Sequence, residues 1–138
     1  MDVLERLVKR FTLTDTIQLK DNYNLYDYQK VVVDWMREKE ETEENNGVRG
    51  GIINLSMGLG KTLTSLYHIL WSRKMKKETD PSLIVMSKTL LYEWRDEGVL
   101  KFFDDVNVLY YHDEFLGKKE FDSIFGDPNL FKDFGGFD

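Results

Sequence analysis

Ile52-Ile53-Asn54-Leu55-Ser56-Met57-Gly58-Leu59-Gly60-Lys61-Thr62 decides how this chain is read. An apolar run ends in a small, glycine-rich turn, followed at once by Lys-Thr and then by Leu63, Leu66, Tyr67 and Leu70 at helical spacing. The order is strand, loop, helix, and the loop has the composition of a phosphate cradle. Gly58 and Gly60 let backbone N–H groups turn inward where a Cβ would obstruct the turn or the approach. Lys61 is placed to bring its ammonium to the β and γ phosphates of a nucleoside triphosphate, and the hydroxyl of Thr62 to hold Mg²⁺. The helix that starts there adds its unsatisfied N–H groups and its positive end. Met57, Gly58, Leu59, Gly60, Lys61 and Thr62 are therefore the candidate nucleotide-binding residues, with Lys61 and Thr62 in the catalytic roles. The general pattern has a further Gly where this chain has Leu55, and the competing reading is a flexible turn leading into a helix.

The rest of the chain sets that loop in a protein of 138 residues, the length of one domain. Its residues are 41% hydrophobic and 32% charged, which fits a soluble chain with a core. The absence of Cys excludes disulfides, cysteine nucleophiles and thiolate metal sites. His68 and His112 are too few for a histidine-based metal centre. No run approaches membrane-spanning length, so no membrane partner is expected, and the start of the chain lacks the apolar core of a secretory signal. An intracellular setting follows, with nucleus, cytoplasm and virion not separable. A net charge of −6 argues against a basic module that wraps nucleic acid, but it leaves room for a local basic groove.

Upstream of the loop, Val3, Leu4, Leu7, Val8 and Phe11 predict a short amphipathic helix, and Asp21 to Asn24 a connection. From Leu25 to Met36 a second helix is expected, capped by Asp27 and turning Val31, Val32, Trp35 and Met36 inward. Gln29, in its first turn, carries an amide that can donate and accept together, as the edge of adenine requires; the alternative is an exposed side chain in water. Trp35 reads as a core anchor, with a base-stacking platform as the other reading. The acidic stretch of residues 37–49 reads as a surface excursion that prolongs the helix and stops at Asn45-Asn46-Gly47.

Downstream, the loop helix runs from about Lys61 to Lys74, with basic residues at its carboxyl end. Ser82 to Ser87 is the second strand expected, Lys88 to Glu97 a helix that extends toward Phe102, and Val106 to Tyr111 a third strand. Repeated strand and helix with short connections predict parallel core strands in an α/β layer fold. Ser87, Lys88 and Thr89 fall just past the end of a strand and could bind a phosphate; Ser87 is equally an N-cap. Phe115, Phe121, Phe125, Phe131, Phe134 and Phe137 mark a carboxyl-terminal segment, residues 113–138, of uncertain structure whose aromatics call for burial against further chain.

Several of these stretches together resemble the Swi/Snf-type ATPases of helicase superfamily 2, including related helicase-like proteins of large DNA viruses. Leu25-Tyr26-Asp27-Tyr28-Gln29 through Trp35-Met36 is similar to the family's glutamine motif, Gly51 to Thr62 to its motif I, and Ser82 to Trp94 to motif Ia. Val106 to Tyr111 is a weaker echo. The resemblance implies a three-layer α/β/α P-loop NTPase fold of RecA-like type, present here in part over residues 25–112, with residues 1–24 as an amino-terminal helix and connection. It implies ATP and Mg²⁺ as cofactors, adenine reading by Gln29, and a loop at Ser87, Lys88 and Thr89 that approaches a nucleic-acid backbone, in this family double-stranded DNA. Two departures matter: the family has an acidic pair where this chain has Leu55-Ser56, and no apolar strand ending in Asp-Glu follows. Asp104-Asp105 and Asp113-Glu114 are poor substitutes for that second pair. The expectation is the ATP-binding amino-terminal part of a DNA-dependent ATPase or helicase-like translocase, incomplete for hydrolysis and completed by a missing or separate motor segment. The alternative is a noncatalytic nucleotide-sensing or protein-interaction module derived from such a motor.

Overall fold

A computed structural model describes residues 17–41, 47–77 and 80–116. Helix α1 (Asp27–Glu41) begins with an acidic residue in its first turn and packs along α2 (Lys61–Lys76). Helix α3 (Lys88–Trp94) runs on through a π turn at Arg95–Val99 into one last turn, α4 (Leu100–Phe102). A single 3₁₀ turn, Lys20–Asn22, precedes α1.

The core lies where the three helical stretches meet. It is built from Ile17, Leu19, Leu25, Val33, Leu63, Leu66, Tyr67, Leu70, Trp71, Val99 and Phe103. Val33, only 1% exposed, faces α2, and full burial of such a side chain is worth about 1.5–3 kcal/mol. Helix α1 was expected to point Val31, Val32, Trp35 and Met36 inward; the stripe is rotated, so that Gln29, Val33 and Asp34 are buried and those four are half-buried. The rotation lets the Trp35 ring cover Gly51, where a Cβ would stand 2.7 Å from its edge. Tyr67 Oη accepts the Ile17 N–H at 3.1 Å, which ties the described part of the amino-terminal connection to α2, and burial pushes the phenol's pKa up. His68 Nε2, on α2, lies 3.0 Å from Glu40 Oε1, on α1.

The expected α/β/α layering with parallel core strands is not what the structure has. Among the described residues every regular element is helical and there is no strand. Residues 52–55, 82–86 and 106–110 take no regular secondary structure, and among the described residues the first two stretches make no backbone hydrogen bond to a neighbouring segment. Exposure still varies along them: Leu83 and Val85 are 89% and 85% exposed, whereas Ile84 is 38% exposed and Met86 half-buried. The apolar pattern thus marks candidate strands, while a strand also needs a second backbone to pair with.

The helical expectations fare better. Helix α2 covers the expected span and two residues more, closing on Lys77 with φ +51°. The acidic stretch prolongs α1 as far as Glu41 and the chain returns through a Gly50 N–H bond to the Lys39 carbonyl, 3.3 Å long. The predicted helix around Val3 to Phe11, the Asn45-Asn46 end of the excursion and the aromatics from Phe121 onward lie outside the described residues.

Candidate functional site

The turn between residue 55 and α2 is formed by two glycines in the left-handed region, Gly58 at φ +81° and Gly60 at φ +79°. A Cβ on Gly58 would meet nothing within 4 Å, so there is open space beside this residue. Gly60 is different, because a Cβ there would lie 2.4 Å from Gln29 Nε2. Gly60 also stands at the N-cap of α2 with no side-chain cap, so the first N–H groups of a 16-residue helix are left to an outside acceptor. Thr64 alone among the first residues is served from within, its N–H and hydroxyl both donating to the Gly60 carbonyl, at 2.9 and 2.7 Å.

Lys61 folds back across the turn. Its Nζ donates to the Leu55 carbonyl at 2.6 Å, in an exposed position at the mouth of the loop. Met57 is 94% exposed and Leu59 37% exposed, so both stand at the surface of the loop. Thr62 is half-buried, and its methyl group is what a Cβ on Gly98 would strike, at 2.8 Å. The π turn therefore seats its glycine against the first turn of α2, with Leu66 Cδ1 at 3.1 Å on the same spot.

Gln29 is 3% exposed and its amide is used inside the protein. Oε1 accepts the Tyr26 N–H at 2.8 Å and Nε2 donates to the Leu59 carbonyl at 3.2 Å. The structure thus joins Gln29 to the glycine loop directly, across 30 residues of chain. Tyr28, which the sequence reading passed over, also donates to the Leu59 carbonyl, at 3.0 Å. No periodicity marks Tyr28, because it lies off the apolar stripe of α1. Gly98 was also missed, although an isolated Gly inside a helical pattern is a known sign of close backbone approach.

Ser87, Lys88 and Thr89 are exposed at the start of α3. Ser87 occupies the N-cap, and its carbonyl accepts from Leu90 and Leu91, but its side chain makes no capping bond. Lys88 is paired with Glu114, whose other oxygen accepts the Tyr92 hydroxyl at 2.5 Å. That pair raises the Lys88 pKa and lowers that of Glu114. The three residues connect to the glycine loop along α3 and the π turn, through the contact of Gly98 with Thr62. His112 hydrogen-bonds locally, its Nδ1 accepting the Glu114 N–H at 3.2 Å. No cluster of His, Cys, Asp and Glu suited to a metal occurs among the described residues, and no helix there is long and apolar enough to cross a membrane.

Comparison with known proteins places these features in a family. The profile of the SNF2-related domain matches residues 28–134. A protein designated helicase 172L, of Invertebrate iridescent virus 6, is 42% identical over 119 residues, which cover 78% of this chain and 19% of that protein. Protein CHROMATIN REMODELING 8 of Arabidopsis thaliana is 40% identical over 89 residues, 64% of this chain and 7% of its own length. The ISWI chromatin-remodeling complex ATPase ISW2 of Saccharomyces cerevisiae is 36% identical over 88 residues, again 64% of this chain and 7% of its own. The chain therefore spans a fifth or less of the curated relatives it matches. No solved structure matches it.

Proposed function

Because the chain belongs to the SNF2-related domain family, we propose that it is the ATP-binding amino-terminal part of a DNA-dependent, helicase-like motor. The observation that carries this reading is the open glycine turn feeding an uncapped helix N-terminus, with Lys61 folded across its mouth. Such a turn suits an anion bound by backbone N–H groups and by an ammonium that exchanges a carbonyl for phosphate oxygens.

The residues fit Mg·ATP by the chemistry of their donors. Gly58 to Thr62 would hold the phosphates through backbone N–H groups, Lys61 would neutralise their charge, and the Thr62 hydroxyl would support Mg²⁺. When bound, Mg·ATP supplies the phosphoryl group whose transfer drives such motors. Gln29 has two tasks in this reading: it fixes the Leu59 carbonyl, and its remaining donor and acceptor capacity faces the adenine edge. Ser87, Lys88 and Thr89 would approach a backbone phosphate of double-stranded DNA. Hydrolysis and translocation would also need the acidic pair and a second motor segment, on the same or a separate polypeptide. Residues 25–112 form the nucleotide-binding unit in this proposal, and the setting is intracellular.

The exposure of Ile52, Leu83 and Val85 favours a second reading, a noncatalytic nucleotide-sensing or protein-interaction module. One experiment addresses both. Calorimetric titration of Mg·ATP into the chain should show saturable binding that Lys61→Ala weakens by about tenfold or more, the worth of one charged hydrogen bond. Thermal stability should be nearly unchanged, because Lys61 is exposed. Equal affinity in the two proteins removes the assigned role of Lys61, and no binding to a cooperatively folded chain moves the weight to the interaction module. Gln29→Ala should narrow the preference for ATP over GTP; an unchanged ratio removes the adenine reading.

A further inference from the structure

We propose that Lys88 and Tyr92 form a docking site for a phosphate of a nucleic-acid backbone, and that the carboxylate of Glu114 occupies this site as an internal competitor. The inference rests on the reading of Ser87 to Thr89 as facing nucleic acid, adds Tyr92 to that surface and gives it a gate.

Lys88 and Tyr92 are four residues apart on α3 and so share one face, with Arg95 three residues further along it. One oxygen of Glu114 meets Lys88 Nζ and the other accepts the Tyr92 hydroxyl. A cation on one oxygen and a hydroxyl on its neighbour is an arrangement that two nonbridging phosphate oxygens can take over. The carboxylate lies in the ligand's place, held by the donors the ligand would use.

Glu114 is not carried there by charge alone. The Phe115 and Leu116 N–H groups both donate to the His112 carbonyl at 3.0 Å, and the Glu114 N–H donates to His112 Nδ1. The Phe115 ring packs on Tyr92 at 4.7 Å and on Tyr110 at 5.4 Å, and the Arg95 guanidinium covers both Tyr92 and Phe115. This aromatic seat positions the turn, so the carboxylate stays close to Lys88 even when the ion pair opens. The pair itself is exposed on both sides, and exposed pairs are weak enough for a polyanion to displace. A nucleic-acid backbone, with many phosphates in a row, competes with Glu114 better than a single small anion does.

The test is fluorescence anisotropy of a labelled DNA duplex with the 138-residue chain and its variants, across a range of salt concentrations. Glu114→Gln keeps the shape of the side chain and removes the competing charge; it should tighten binding by about two- to fivefold, the worth of one exposed pair. Asp113→Asn changes net charge equally at a carboxylate that acts on Lys88 only through its charge, and should tighten binding less than Glu114→Gln does. Lys88→Ala should weaken binding and lower the salt slope by about 1. Tyr92→Phe made on top of Glu114→Gln should weaken binding relative to Glu114→Gln alone. Weaker binding by Glu114→Gln, or a gain no larger than that of Asp113→Asn, overturns the gate. In that case a loss in Lys88→Ala would leave the nucleic-acid reading of the loop standing. A duplex bound by none of these proteins overturns both.

Discussion

The two faces proposed to bind ligands are built in opposite ways. The glycine loop is held by neutral hydrogen bonds and close contacts: Gln29 and Tyr28 on the Leu59 carbonyl, Gly60 under the Gln29 amide, Gly98 against Thr62. The α3 face is held by exposed charge, Lys88 with Glu114 and Arg95 with Asp96. The buried contacts of the first kind, at the Gln29 amide and between Gly98 and Thr62, cannot be altered without affecting the fold, because an unpaired amide or a misplaced Cβ has nowhere to go. Exposed pairs of the second kind exchange partners at little cost. Damage at the buried loop contacts should therefore appear in stability and in ligand binding together, whereas loss of the exposed Lys61 ammonium, like damage at the α3 face, should appear in binding alone.

The largest effect should separate two glycines that share a backbone conformation. Gly60→Ala forces a Cβ onto Gln29 and strains a positive φ, and should destabilise the chain by about 2–3 kcal/mol in urea unfolding. Gly58→Ala carries the strain without the clash and should cost about 1–2 kcal/mol. Equal losses would show that the Gln29 contact contributes nothing. Next comes Gln29→Ala, which leaves the Leu59 carbonyl to Tyr28 and the Tyr26 N–H without its partner; about 1–2 kcal/mol should be lost.

Gly98→Ala should cost about 1 kcal/mol, as overpacking against Thr62 outweighs the better helix propensity of Ala. It should also weaken Mg·ATP binding; intact affinity would uncouple the π turn from the loop.

The smallest effect belongs to the exposed face and sharpens the contrast through pH. Hydrogen bonds from Lys88 and Tyr92 hold the Glu114 carboxyl below its ordinary value, so its contribution is present above the ordinary carboxylate range and is lost as pH falls through the depressed pKa. Lys88 shifts upward because of the same pair, so its share is present below its ordinary value and is lost only as pH rises through the raised pKa. Between those limits the pair stays charged. An NMR titration should place Glu114 below an ordinary glutamate, and Lys88→Ala should move it back up with almost no change in thermal stability. A large stability loss in that variant would erase the distinction between the two faces.

Much of the site was legible in residue types. Glycine at 58 and 60, followed by Lys61 and Thr62, announced a tight turn running into a helix, because only glycine takes the left-handed conformation without strain. The family could be read from the order of such stretches. Tyr28, Tyr92 and Glu114 could not be found that way, since their roles depend on partners 22 to 31 residues distant in the chain. The burial of the Gln29 amide was equally invisible, because helical spacing does not say how far a helix is rotated about its axis.

By itself the sequence determined the helices around the loop, the glycine turn and the family, because each rests on local backbone preference or on residue identity at fixed spacing. The tertiary structure decided which face of α1 is buried, how the loop is pinned to Gln29 and Gly98, and which anion partner Lys88 holds. It also decided that the apolar runs at 52–55 and 82–86 form no strand among the described residues. A helix closes its hydrogen bonds within its own segment; an extended run depends on a second backbone, and local sequence does not say whether one is alongside.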